Sequence, residues 1–185
     1  MIRSFKDHKG IVWSVTFSPD AAYILAAGDD STIRLWERES GKLIRSFKDH
    51  KGPVFSVTFS PDAAYILAAG EDATIRLWER ESGKLIRSFK DHSGAVWSVT
   101  FSPDAAYILS AGDDATVKLW DVNSGACMAT FIGWADGAWL TRDGADNFAG
   151  NETGLDKLGF VDNQCVYPAG EFPEFIRDRL EIMPV

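Results

Sequence analysis

Three histidines recur along the chain, each followed by a carboxylate at the same distance: His8 with Asp30, His50 with Asp72 and His92 with Asp114. Imidazole beside carboxylate is the material of two chemistries. One is a metal site ligated by both groups; the other is a hydrolytic relay in which an Asp-oriented imidazole activates a serine such as Ser110. Either requires the groups to converge on one point, whereas a set repeated at even spacing is distributed along the chain. No phosphate-cradling glycine loop accompanies them. Cys127 and Cys165, 38 residues apart, fit neither a metal-ligand spacing nor a disulfide framework and read as unrelated thiols.

The histidines are markers of a larger repeat. IRSFKDH begins at Ile2, Ile44 and Ile86, a period of 42 residues. The units Ile2 to Leu43 and Ile44 to Leu85 differ only at Ile11/Pro53, Trp13/Phe55, Asp29/Glu71 and Ser31/Ala73, and the third copy diverges slightly more. Within a unit, Val12 to Ser18 alternates apolar and small polar residues and ends in the turn signal Ser18-Pro19-Asp20. Tyr23 to Ala27, the turn around Gly28-Asp29-Asp30, the β-branched run Thr32 to Trp36, the Ser40-Gly41 turn and Leu43 to Phe47 follow. This predicts four short antiparallel strands per repeat. Such a sheet cannot cover both of its apolar faces, so the copies must stack face to face.

From the His of KDH, the FSPD turn, the GDD-x-T turn and the LW ending of the third strand, each unit resembles a WD repeat over roughly residues 2–131. The resemblance implies an all-β fold of β-propeller blades: three full blades with an N-terminal outer strand over 1–132, then a degenerate fourth blade and a C-terminal capping helix over 133–185, in one domain. In that family a His, a Ser or Thr, an Asp and a Trp form a buried hydrogen-bonded set. Mapped here, the third blade has His92, Ser110, Asp114 and Trp120, while the others have His8, Asp30 and Trp36, and His50, Asp72 and Trp78. Ala26 and Ala68 stand where the hydroxyl would be, so an Asp acceptor should satisfy each His, and the Trp N–H needs another partner such as water. Slightly looser first and second blades are expected. The resemblance gives these residues a structural role and implies no catalytic residue, no metal and no cofactor. The family's glycine after Asp is missing from Asp20-Ala21-Ala22, and a type I turn anchored by Tyr23 is the expected solution.

The differences between the first two repeats fall at one end of the blade, which is the family's usual face for partners. Arranged radially, Trp13, Phe55 and Trp97 form an aromatic arc, with Asp29, Glu71 and Asp113 as an acidic arc beside it. This pattern suits a protein or peptide ligand bearing Lys or Arg. The competing interpretation is that the aromatics are buried strand residues and the differences neutral. The turns Glu37-Arg38-Glu39 and Glu79-Arg80-Glu81 at the other end read as solvated surface.

Beyond Phe131 the period breaks. Ala138 to Thr141 and Asn147 to Gly150 read as strands opening a fourth blade, a tail resembling the segment after the propeller in bacterial WD-repeat proteins. Lys157 to Val161 reads as extended, and Glu171 to Leu180, with Phe172, Phe175, Ile176 and Leu180 at helical spacing, as an amphipathic helix. Three blades and part of a fourth do not close a ring, so the chain is expected to assemble with copies of itself. In the favoured arrangement the strand Ile2 to Phe5 completes a partner's last blade in an eight-bladed homodimer; a six-bladed dimer or a trimer follows if the tail only caps the third blade. A net charge of −8 argues against nucleic acid, and the absence of a long apolar run or leader pattern argues against a membrane and for the cytoplasm. The expected function is a non-enzymatic protein- or peptide-binding scaffold. The alternative is a self-assembling structural module, or a remnant of a larger regulatory protein, without a dedicated ligand.

Overall fold

The computed structural model describes residues 5, 7–133, 139–143, 148–150, 161–162, 165–166 and 180–182. The first repeat forms β1 (Val12–Phe17), β2 (Tyr23–Gly28), β3 (Ile33–Glu37) and β4 (Leu43–Phe47); the second forms β5 (Val54–Phe59), β6 (Tyr65–Gly70), β7 (Ile75–Glu79) and β8 (Leu85–Phe89). The third forms β9 (Val96–Phe101), β10 (Tyr107–Gly112), β11 (Thr116–Asp121) and β12 (Cys127–Gly133). Strand order in every sheet follows chain order, as short turns between antiparallel neighbours require.

The sheets stack face to face. Leu25, Ile33, Leu35 and Phe47 of the first blade pack on Val54, Val57, Phe59, Ile66 and Trp78 of the second. Leu67, Ile75, Leu77 and Phe89 repeat the arrangement against Val96, Val99, Ile108 and Trp120 of the third. Polar links cross both joints: Ser14 Oγ accepts from the Val57 N–H and Ser56 Oγ from the Val99 N–H, each at 3.2 Å. Of the two turns read as solvated surface, Glu79-Arg80-Glu81 belongs to the joint between the first and second blades, while Glu37-Arg38-Glu39 is exposed. Arg45 donates to the carbonyl of Glu81 at 2.6 Å, and the Arg80 guanidinium lies 4.7 Å from the centre of the Tyr23 ring.

The FSPD turn takes a more strained path than a type I turn alone. Ala21 N–H donates to Ser18 C=O at 2.8 Å, closing the expected four-residue turn, but Ala21 itself has φ of 55° before the chain returns through the Ser18 N–H to Tyr23 C=O bond. Ala63 and Ala105 repeat this at 58° and 59°, and Ser31, Ala73 and Ala115 sit at 58° in the turn between second and third strands. The side chains of Ser18 and Asp20 supply the compensation: Ser18 Oγ accepts from Tyr23 N–H at 2.9 Å and Asp20 from Ala22 N–H at 3.0 Å.

The tail differs from the expected fourth blade. β13 (Trp139–Asp143) pairs antiparallel with β12, running Ala129↔Asp143 to Gly133↔Trp139, and β14 (Phe148–Gly150) pairs with β13. The third sheet thus continues outward instead of giving way to a new blade, because the outer edge of β12 carries a row of backbone groups that a nearby strand can satisfy. Of the expected helix, only Leu180 lies within the described residues, and it belongs to β17 (Leu180–Ile182), parallel to β14. Leu180-Glu181-Ile182 alternates with a period of two, which suits a strand. Of Lys157 to Val161, only Val161 is described; β15 (Val161–Asp162) pairs with β16 (Cys165–Val166). Ile2 to Ser4 lie outside the described residues, and Phe5 is not in a strand. Its ring packs on Trp36 of its own chain, with centroids 6.0 Å apart.

Alanine in the left-handed region costs about 1 kcal/mol relative to glycine. Ala21 and Ala115 are exposed, so their methyls contribute little packing. Ala21→Gly and Ala115→Gly are each expected to stabilise the fold by about 1 kcal/mol, a rise of roughly 2–4 °C in melting temperature by calorimetry.

Candidate functional site

The inner strand of each blade carries a β-bulge at its start. In β1 the register passes from Val12↔Gly28 to Ser14↔Ala27, leaving Trp13 as the extra residue. Phe55 and Trp97 occupy the same place in β5 and β9. A bulge releases a side chain from the alternation of the strand and re-aims it. Glycine opposite the bulge makes room: a Cβ on Gly28 would lie 2.1 Å from the carbonyl oxygen of Ile11, and one on Gly70 2.2 Å from that of Pro53.

The re-aimed rings meet across the blades. Trp13 stands edge-on to Phe55 with centroids 5.7 Å apart, and Phe55 stacks on Trp97 at 4.1 Å with an interplanar angle of 18°. Trp13 and Trp97 remain 47% and 48% exposed, so their rings are available as a platform. The carboxylates expected beside them hold the rings in place. Trp13 Nε1 donates to Asp29 Oδ1 at 2.6 Å while the other oxygen accepts from Ile11 N–H at 3.0 Å, and Trp97 Nε1 donates to Asp113. Phe55 has no N–H to offer Glu71, and Glu71 is exposed. The differences between repeats therefore come in coupled pairs: Trp with Asp, Phe with Glu. Two of the three acids in the arc serve as acceptors for indole, which sequence reasoning had treated only as charge.

The histidines lie apart, one set per sheet. In the third blade, Asp114 contacts His92 Nδ1 at 2.8 Å, His92 Nε2 contacts Ser110 Oγ at 2.7 Å, and Trp120 Nε1 donates to the same oxygen at 2.8 Å. In the second, His50 Nδ1 lies 3.0 Å from Asp72, and Arg76 Nη1 donates to Asp72 at 2.7 Å and lies 2.7 Å from His50 Nδ1. The first blade repeats this with His8, Asp30 and Arg34. Arg34 and Arg76 are the residues that sequence reasoning missed. Each is the direct cross-strand neighbour of the alanine that replaces the hydroxyl, Ala26↔Arg34 and Ala68↔Arg76, whereas Ser110 faces Lys118. A small residue opposite leaves space for a guanidinium to reach inward. Lys118 turns instead to Asp91 at 2.7 Å.

The Trp78 N–H finds the other partner it needs in Asp49 Oδ2, at 3.1 Å. One expectation about these sets needs correction. The histidines without the hydroxyl are not satisfied by Asp alone: His8 Nε2 and His50 Nε2 are buried without a hydrogen-bond partner. The alanine methyl offers nothing to the ring nitrogen that Ser110 engages in the third blade. Among the described residues, no group of three His, Cys, Asp or Glu side chains is placed to hold a metal ion. No helix among them is long and apolar enough to cross a membrane.

Burial works to raise the carboxyl of Asp72, but hydrogen bonds from His50, Thr74, the Lys51 backbone and Arg76 outweigh it and hold the group well below the ordinary carboxylate range. Asp30 and Asp114 are lowered in the same way. A carboxyl depressed in the folded state stabilises the fold above its unfolded pKa of about 3.9 and loses that contribution as pH falls through and below this value. Denaturant unfolding between pH 7 and pH 2 should show this slope, and Asp72→Asn should flatten it. Ala68→Ser supplies a hydroxyl that serves either tautomer of His50. It should raise the denaturation midpoint at unchanged m-value, by about 1 kcal/mol.

Comparison with known proteins agrees with the architecture. The family described as WD domain, G-beta repeat matches residues 1–37, 41–79 and 83–121. A stretch of 43 residues, 23% of this chain and 13% of the relative, is 40% identical to Eukaryotic translation initiation factor 3 subunit I of Phaeosphaeria nodorum. Another of 40 residues, 22% of this chain and 13% of the relative, is 52% identical to Small ribosomal subunit protein RACK1 of Candida albicans. Among solved structures, that titled "Structure of U3-55K" superposes with a TM-score of 0.69 at 23% identity, covering 76% of this chain and 48% of that one.

Proposed function

Because the chain belongs to the WD domain, G-beta repeat family, we propose that it is a non-enzymatic scaffold that binds a protein or peptide segment on the aromatic platform of Trp13, Phe55 and Trp97. The observation that carries this reading is the contact of three bulge-aimed rings across three blades at one end, with two of them half exposed. Large rings held open to solvent sacrifice burial that a stable core would use, and such rings are the side chains that dominate protein interfaces. Indole N–H groups bound to Asp29 and Asp113 hold Trp13 and Trp97 in a fixed pose, so little conformational entropy is lost when a ligand docks.

The chemistry of the ligand follows from the rim. Glu71 occupies the place of Asp29 and Asp113 in the one repeat whose ring has no indole donor, and that ring, Phe55, stacks on Trp97. A Lys or Arg side chain fits there, its stem on the rings and its charge toward Glu71. We also propose that the scaffold completes its ring with further copies of itself. The position of β13 and β14 on the outer edge of the third sheet favours two copies with six blades over the eight-bladed dimer.

Selection from a random displayed peptide library tests the ligand class. Peptides enriched on the wild-type protein should carry Lys or Arg, and Glu71→Gln should weaken them about tenfold, with a shallower salt dependence. The triple variant Trp13→Ala, Phe55→Ala, Trp97→Ala should lose them while keeping its far-ultraviolet circular dichroism. A folded triple variant that retains the same binders would remove this end from contention.

A further inference from the structure

We propose that the exposed face of the first blade and the exposed face of the third are the two halves of a single joint, closed by a second copy of the chain. The proposal deepens the assembly reading above and rests on it. Its ground is a position-by-position comparison within the molecule. The face that β5 turns toward the preceding blade is buried, with Val57 4% and Phe59 6% exposed, and in β9 Val99 is buried and Phe101 half-buried. At the same positions of the first blade, Val15 is 68% and Phe17 60% exposed. On the other side of each sheet, Leu25 and Leu67 are at 0%, while Leu109 in the third blade is 42% exposed. Val117 and Phe131 are likewise exposed, although Ile33, Ile75, Phe47 and Phe89 at their positions are buried. The chain therefore builds the same joint twice and presents each half once more.

Polar groups at the two free faces match as well. Ser98 occupies the place of Ser14 and Ser56, whose hydroxyls accept from the backbone of the following blade, and Val15 carries the N–H equivalent to those of Val57 and Val99. Tyr107 stands where Tyr23 receives Arg80, and Arg38 stands where Arg80 does. One link is missing: Ala129 replaces the arginines that clasp the next blade in the two internal joints, Arg45 on Glu81 and Arg87 on Asn123 and Ser124. A joint between copies is therefore weaker than an internal one.

A contact within the chain opposes it. Phe47 packs on Trp78 and Phe89 on Trp120 with centroids 5.8 and 5.7 Å apart, so Phe131 is the residue that would meet Trp36 of a second copy. Phe5 of the same chain already occupies that position. Closing the joint exchanges Phe5 for Phe131, and Phe5 acts as a competitor for assembly. Both halves reside on one chain and match residue for residue, which is why the occupant is a second copy rather than an unrelated partner. The contact is head-to-tail, and two copies joined through both of their free faces close a six-bladed ring.

The test is the mass of the full chain in solution by sedimentation equilibrium, with variants at the exposed Val15 and Leu109 and at Phe5. Wild type should approach twice the chain mass of 20.4 kDa as concentration rises. Val15→Lys and Leu109→Glu should each weaken association more than tenfold, and an equimolar mixture should regain the doubled mass, because each variant keeps one intact half. Phe5→Ala should tighten association several-fold; unchanged or weaker association would overturn the exchange with Phe131. Doubled mass in both single variants at wild-type concentrations would overturn the joint while leaving self-assembly standing, as would a mixture that stays monomeric. A wild-type chain that is monomeric at every concentration would overturn both.

Discussion

A small antiparallel sheet with two apolar faces must be covered twice, and that requirement organises this molecule. Each blade is thin: its strands run five to seven residues and its interior is shared with its neighbours rather than enclosed within itself. The second blade, covered on both faces, has the fully buried Leu67, Ile75 and Trp78, whereas the outer faces of the first and third are open. Stability in such a stack comes from the joints as much as from the blades, as in other quasi-one-dimensional architectures. Polar groups lie in those joints too: the inner-strand serine present in all three repeats, and the outer-strand arginine of the first two, which Ala129 replaces in the third.

The same constraint explains where function is free to vary. Faces of the sheet are committed to packing and outer strands to the clasp, which leaves the ends of the blades. At one end the bulge, the turn glycine and the acid form a small device that turns an inner-strand residue outward and fixes its pose. Near-identical repeats make the device easy to see. Where the ring has an N–H the acid is Asp, placed to accept it; where the ring has none the acid is the longer Glu. Charge alone would not distinguish these cases, but hydrogen-bond reach does.

The buried histidine sets show how a lost hydroxyl is accommodated. In the third blade one serine joins His92 to Trp120. In the first two the serine is alanine, the cross-strand residue is arginine, and the guanidinium binds the Asp–His pair from the other side. The exchange keeps the carboxylate well satisfied and leaves the far nitrogen of the imidazole unpaired. Two positions change together because they face each other on adjacent strands, and neither is close to the other in the chain.

Much of this was legible in the sequence. The period of 42 residues, the four strands of each repeat, the turns between them and the grouping of the variable aromatic and acidic residues at one end follow from local pattern, because alternation and turn chemistry are short-range properties. Local pattern does not specify which edge a strand joins. Trp139–Asp143 and Phe148–Gly150 have the alternation of strands, but only the open edge of β12 determined that they extend the third sheet rather than begin a fourth. Nor does it specify contacts across strands and blades: the arginine beside each alanine, the indole on its carboxylate and Phe5 on Trp36 all depend on groups that the sheet brings together. The repeat was written in the residues themselves, and the partners of its polar groups were decided by the packing of one sheet on the next.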